Sequence, residues 1–268
     1  MAKTEEFDPG RALARRRGTR ASVRFAGHGA VLAATMLALL VASCSGGPTE
    51  EAANELAGRC GVGDVGVPVE ALPYEAGSAE GVDGFVLGGG SEGVIFSNQT
   101  DTDLCEWLPL AEEMAGEERR ALIYDYSYKP DAAKELAAAA AELERLGVDR
   151  VVLVGASKGA VGSLVAAATI EEPSVAGVAS LSSVGDFEGL DPREGAGRLD
   201  MPLLLMASRD DGGAAEVARE VAKRAPSDEE RVEVFGGYDH GTDLLSGGDG
   251  PAARELLARF VDGNLSPT

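Results

Sequence analysis

An α/β fold, with a mostly parallel central sheet and helices on both faces, is the architecture this sequence predicts, and three observations predict it. Short apolar runs alternate with longer helix-compatible runs along most of the chain, the signature of repeated strand-helix-strand units. Two of the apolar runs, Val151 to Val154 and Leu203 to Ala207, are continuous rather than alternating, as expected of strands buried on both faces. One of them, Val151 to Val154, leads through Gly155-Ala156-Ser157-Lys158-Gly159 straight into the small apolar run Val161 to Ala168, so the chain must reverse at a serine.

The elements can be taken in order. Residues 1–43 read as an export signal: Arg15, Arg16, Arg17, Arg20 and Arg24 precede the apolar run Ala30 to Val41. That run is about a dozen residues, short of the roughly 20 needed to span a bilayer. Val41-Ala42-Ser43-Cys44 resembles a bacterial lipobox, which implies acylation of Cys44, a lipid anchor in the cell membrane and an extracytoplasmic location. Residues 44–61 follow as an expected flexible tether, because Ser45-Gly46-Gly47-Pro48-Thr49-Glu50-Glu51 is too polar and too rich in Gly to pack. Residues 62–268 are expected to form one α/β domain.

Within that domain, strands are expected at Phe85 to Leu87, Val94 to Ser97, Ala121 to Tyr126, Val151 to Val154, Val175 to Ser182, Leu203 to Ala207 and Val232 to Phe235. Val65 to Val69 is a candidate antiparallel edge strand. Helices are expected at Leu104 to Met114, Ala132 to Leu146, Val161 to Ile170, Ala214 to Ala225 and Ala252 to Val261. Ser183 to Asp200, between the strand patterns on either side, is short and polar, so no large lid domain is expected. Trp107 and the tyrosines Tyr124, Tyr126 and Tyr128 read as packing against strands rather than as a ligand platform.

Gly155-Ala156-Ser157-Lys158-Gly159 has the form G-x-S-x-G. A sharp strand-to-helix turn strains the serine backbone and leaves room only for tiny neighbours, while its hydroxyl projects above the sheet at the positive end of the next helix. Such a serine needs a base, and the chain contains only two histidines. His28 falls in the export signal, which leaves His240, directly after the strand pattern Val232 to Phe235. Imidazole titrates near neutral pH and can take and return the hydroxyl proton. A carboxylate between the two in sequence should orient the ring. Asp211, after Leu203 to Ala207, is the first candidate, Asp210 the alternative and Asp186 a further one. Lys158 as the base is disfavoured, because adjacent residues at such a turn point in different directions.

These residues together resemble the α/β-hydrolase superfamily over roughly residues 62–262, most closely its small lidless dienelactone hydrolase-like and esterase-like members. The resemblance implies a serine hydrolase with Ser157, Asp211 and His240 as catalytic residues, acting on small carboxylic esters or lactones through an acyl-enzyme. It also implies an oxyanion hole built from the backbone N–H of Lys158 and of a residue after Val94 to Ser97, placed at Gln99 with Thr100 next. Many relatives carry His-Gly where this chain has Asn98-Gln99. A binding lipoprotein without catalysis, an acyltransferase and a peptidase are the alternatives on the same scaffold.

Charge and cysteine content bound the partners. Setting aside residues 1–43 leaves 17 basic and 42 acidic residues, a formal charge of −25, which repels nucleic acid and anionic membrane surfaces alike. Membrane attachment then falls to the lipid. Cys60 and Cys105 could form a disulfide in an oxidising exterior. No metal and no cofactor are expected, since no cysteine has ligand spacing with a histidine. The expected partner is a small-molecule ester substrate, and the expected state a monomer.

Overall fold

The computed structural model of the protein describes residues 47–73, 81–127 and 131–265. The export signal, Cys44 and Tyr128 lie outside the described residues. The elements run α1 (Glu50–Cys60), β1 (Val69–Ala71), β2 (Asp83–Gly88), β3 (Glu92–Ser97), a 3-10 turn (Leu104–Glu106), α2 (Leu108–Met114), β4 (Arg119–Asp125), α3 (Ala132–Arg145), β5 (Arg150–Ala156) and α4 (Lys158–Ala167). They continue as β6 (Ser174–Leu181), α5 (Pro192–Gly195), a second 3-10 turn (Ala196–Arg198), β7 (Leu203–Ser208), α6 (Ala214–Arg224), β8 (Glu230–Phe235), a third 3-10 turn (Gly241–Leu245) and α7 (Gly250–Leu265).

The eight strands form one sheet in the order β1-β2-β4-β3-β5-β6-β7-β8. β1 and β2 pair antiparallel, β2 pairs antiparallel with β4, and every remaining pair is parallel. Alternate side chains of one strand feed two separate cores. Val94 and Phe96 join the cluster under α1, α2 and α7, whereas Ile95 joins the cluster under α3, α4 and α6. This two-sided burial explains why central strands such as β5 and β7 read as unbroken apolar runs, whereas β8 at the sheet edge carries Arg231 and Glu233. Between β6 and β7 the chain forms α5, the 3-10 turn at Ala196–Arg198 and a small bridge of Phe187 with Leu190, so among the described residues no large lid covers this end of the sheet.

The expected tether over residues 44–61 is corrected by α1. Thr49 caps this helix by accepting the Ala52 N–H at 3.0 Å, Glu50 and Glu51 occupy its first turn, and Gly61 closes it in the left-handed conformation. Ala52, Leu56 and Ala57 form a buried stripe, with Leu56 fully covered. The Thr49 N–H also bonds to the Val69 carbonyl at 2.8 Å, which ties the helix start to β1. Composition suggested a linker because its Ser, Gly, Pro and Glu residues are also what a helix N-terminus uses. Glu50–Cys60 is therefore packed on the domain ahead of Val62, where the domain was expected to start.

Candidate active site

Ser157 sits at the junction of β5 and α4 with φ 49° and ψ −110°, a backbone conformation that costs a non-glycine residue about 1–3 kcal/mol. Neighbouring structure holds it there: its N–H bonds to the Leu181 carbonyl at 2.8 Å, and its carbonyl accepts the Val161 N–H at 3.1 Å. The flanking glycines are required by contact. A Cβ on Gly155 would lie 2.2 Å from the Gly159 carbonyl oxygen, and one on Gly159 would lie 2.2 Å from the Ser97 carbonyl oxygen. α4 can therefore start close against the end of β3 only without side chains there. Ser157 itself is nearly covered, at 8% exposure.

His240 and Asp211 lie at the ends of β8 and β7, which pair in parallel from Leu203 with Glu230 to Ser208 with Phe235. His240 Nδ1 is 2.8 and 2.9 Å from the two Asp211 carboxylate oxygens. A carboxylate at this position accepts a hydrogen bond from Nδ1–H and so leaves Nε2 as the nitrogen with the free lone pair. The Asp211 side chain is largely covered and that of His240 is about a third exposed. Asp210, by contrast, is exposed, and its N–H bonds to the Gly237 carbonyl at 3.0 Å. Asp186 is also exposed, on the loop after β6. Of the three candidate acids, Asp211 is the one brought to the histidine.

The loops of Ser157 and His240 converge. A Cβ built on Gly241 would stand 3.5 Å from the Ala156 Cβ, so the residue after the histidine abuts the residue before the serine. Among the described hydrogen bonds none joins Ser157 Oγ to His240. Such bonds are often long without a substrate and tighten when one binds.

The loop after β3 is braced from several sides. Asn98, fully buried, donates its side-chain amide to the Tyr124 carbonyl at 3.0 Å and to Asp125 Oδ1 at 3.2 Å. The same Asp125 oxygen accepts the Leu104 N–H at 2.6 Å. Cys60 and Cys105 are joined in a disulfide with their Cα atoms 5.3 Å apart, fastening the 3-10 turn to the end of α1.

Gln99 does not offer the free amide expected of it. Its N–H donates to Glu106 Oε1 at 3.2 Å, a bond to a half-buried carboxylate that an incoming oxyanion would have to displace. Thr100, exposed and next in the chain, makes no backbone N–H bond among the described residues. Glu106 and Asp125 have no signal in the sequence, where they are two of 45 acidic residues and their partners lie far along the chain.

Lys158 is buried, with its ammonium 3.5 Å from the Tyr126 ring centroid, a cation-π contact on the side of the β4 loop. Burial pulls its pKa below the usual lysine range, against the opposing pull of Glu135 and Glu188. Among the described residues no group of three or more His, Cys, Asp or Glu side chains could hold a metal ion.

Neither a protein-family model nor a curated protein matches the sequence. Solved structures do match the fold. The chain is similar to a monoacylglycerol lipase of Paleococcus ferrophilus, at TM-score 0.59 and 12% identity over 68% of this chain and 99% of the other. It is similar to a dienelactone hydrolase of Anabaena variabilis, at TM-score 0.54 and 18% identity over 75% of this chain and 95% of the other. A proline iminopeptidase of Mycobacterium smegmatis aligns at TM-score 0.56 and 12% identity, over 73% and 98%. These likenesses, with the mostly parallel eight-stranded sheet flanked by helices, show that the chain is built on the α/β-hydrolase fold.

Proposed function

We propose that this protein is a serine hydrolase that cleaves small carboxylic esters or lactones, with Ser157 as nucleophile, His240 as general base and acid, and Asp211 orienting the ring. The observation that carries the reading is the Asp211–His240 pair, which meets at the carboxyl ends of β7 and β8 while the adjoining Gly241 packs beside the serine turn. Chemistry follows from that arrangement. His240 Nε2 takes the Ser157 proton as Oγ attacks the ester carbonyl, and the imidazolium that forms is stabilised by the Asp211 carboxylate. The tetrahedral oxyanion is met by the backbone N–H of Lys158, the first residue of α4, and by that of Thr100 on the β3 loop. Each such donor is worth about 3–4 kcal/mol in the transition state. His240 then returns the proton to the leaving alcohol, and water attacks the acyl-enzyme with the same histidine as base.

The short β6–β7 connection favours small or exposed substrates over long acyl chains, because nothing there closes over a bound chain. The esterase-type and lipase-type neighbours make an ester the first substrate class, and the iminopeptidase keeps a peptide bond as the second. The lipobox-like Val41-Ala42-Ser43-Cys44 extends the proposal to a membrane-tethered, extracytoplasmic enzyme, acylated at Cys44.

A fluorophosphonate probe tests the reading directly. Covalent capture mapped to Ser157, together with turnover of p-nitrophenyl acetate, is the expected result. No capture under conditions that label a control esterase would leave a binding protein on a hydrolase scaffold.

A further inference from the structure

Glu106 belongs to no triad, yet its carboxylate joins two of the loops that the proposed chemistry uses. Oε1 accepts the Gln99 N–H at 3.2 Å and the Thr102 hydroxyl at 2.6 Å, both from the loop after β3. Oε2 accepts the Thr242 hydroxyl at 2.9 Å, two residues past His240 and 136 positions away in the chain. A second strand of the same clamp runs directly between the loops, from the Thr242 N–H to Gln99 Oε1 at 3.3 Å. Gly241 lets them close: at φ 59°, a Cβ there would fall 1.8 Å from that same Gln99 oxygen.

We propose that Glu106 is a positioning residue, a carboxylate clamp that sets the β3 loop, with its oxyanion donor, at a fixed distance from the histidine loop. The inference rests on the reading of Ser157, His240 and the Thr100 amide given above.

The residue type fits the task. A carboxylate is an acceptor at both oxygens, so three donors from two loops can converge on it, whereas an amide would turn an NH2 group toward one of them. Keeping a charge half-buried costs solvation: burial pushes the Glu106 pKa up and the nearby Asp103 adds to this, while the bonds from Thr102, Thr242 and Gln99 pull it back down. A group used only for packing would not need that charge. Its neighbour Cys105 is held through the disulfide to α1, so the clamp is anchored to the domain body and does not ride on a free loop. By engaging the Gln99 amide, Glu106 also determines which amide of this loop remains for an oxyanion, namely that of Thr100.

The test uses the intact, disulfide-bonded protein with Glu106→Ala, Glu106→Gln, Thr242→Val and the Glu106→Ala/Thr242→Val double variant, and Glu113→Gln as an exposed control. Readouts are the thermal midpoint, kcat and KM on p-nitrophenyl acetate, and the rate of fluorophosphonate capture. Glu106→Ala should lower kcat by about 10²-fold, the scale of a small misplacement of catalytic groups, with KM moving by less than about threefold. Glu106→Gln should recover part of the loss, Thr242→Val should cost about tenfold, and the double variant should be no slower than Glu106→Ala, since both remove one clamp. Folded Glu106→Ala with kcat within about twofold of the native protein overturns the inference, as does strict additivity with Thr242→Val. Should Glu106→Ala unfold, unchanged kcat in Thr242→Val, which loses a single hydroxyl, overturns it equally. Failure of the native protein itself to react with the probe would overturn the nucleophile assignment and this inference with it; equal capture by native and Glu106→Ala proteins would overturn this inference alone.

Discussion

Asp211 and His240 meet through contacts of 2.8 and 2.9 Å although 29 residues separate them, because β7 and β8 run parallel as neighbours and end together. Asp211→Asn should leave the fold intact and lower kcat by about 10⁴-fold, since an amide favours the wrong tautomer of the ring. Asp210→Asn should change it little. Steady-state kinetics on a p-nitrophenyl ester checks both, and equal losses would return the assignment of the acid to an open question.

Ser157→Ala and His240→Ala should each remove measurable turnover while leaving the circular dichroism spectrum and unfolding midpoint near those of the native protein. Relief of the strained serine turn is not expected, because Leu181 and Val161 still hold the backbone. Persistent activity in the Ser157 variant would mean another nucleophile.

Gly159→Ala should destabilise the domain by about 3 kcal/mol or more, beyond ordinary overpacking, because the new methyl would meet the Ser97 carbonyl backbone and no movable side chain. Urea denaturation measures this. Gly197→Ala, where nothing lies within 4 Å, is the matched control and should be nearly neutral.

Reduction of Cys60–Cys105, or replacement of both cysteines by alanine, should lower stability by roughly 4 kcal/mol for a loop of this length in the chain-entropy model. For a domain of this size that is a fall of about 8–16 °C in Tm. Calorimetry with and without dithiothreitol gives the result, and an unchanged Tm would mean that the crosslink constrains little.

Asp191 caps α5 by accepting the Arg193 N–H at 2.9 Å, and its carboxylate pairs with the Arg193 guanidinium, which also reaches Glu220 on α6. The Arg193 side chain holds the Asp191 pKa below the usual aspartate range. A depressed carboxylate pKa adds stability that is fully present above the unfolded value of about 3.9 and is lost as pH falls from there through the folded value. Asp191→Asn, which keeps a capping acceptor but loses the ion pair with Arg193, should therefore flatten the fall in stability below about pH 4 and lower stability slightly at neutral pH. Urea midpoints measured from about pH 2.5 to about pH 7 decide it.

Cys44→Ala should shift the protein from the membrane to the soluble fraction if the lipobox-like segment directs acylation, since two or three buried acyl chains, at about 0.8 kcal/mol per methylene, anchor durably. Membrane retention of the variant would point to a different attachment.

What the sequence alone determined is what local sterics and periodicity encode. Unbroken runs such as Val151 to Val154 can be buried on two faces only in a covered parallel sheet, and glycines on both sides of Ser157 announce a turn too tight for side chains. Of the described strands, the seven from β2 to β8 are legible as apolar or β-branched runs, while β1, at Val69–Ala71, overlaps the expected edge strand Val65 to Val69 only at Val69. Tertiary structure decided the rest, because it depends on contacts between distant segments. Whether Thr49 to Cys60 was tether or helix turned on a buried place for Leu56, and the choice between adjacent Asp210 and Asp211 turned on how the chain leaves β7. The engagement of the Gln99 amide by Glu106, and of Glu106 by Thr242 across 136 positions, has no period, composition or motif to mark it. A hydrogen bond between loops is specified by where the sheet places their ends, and only the folded sheet carries that information.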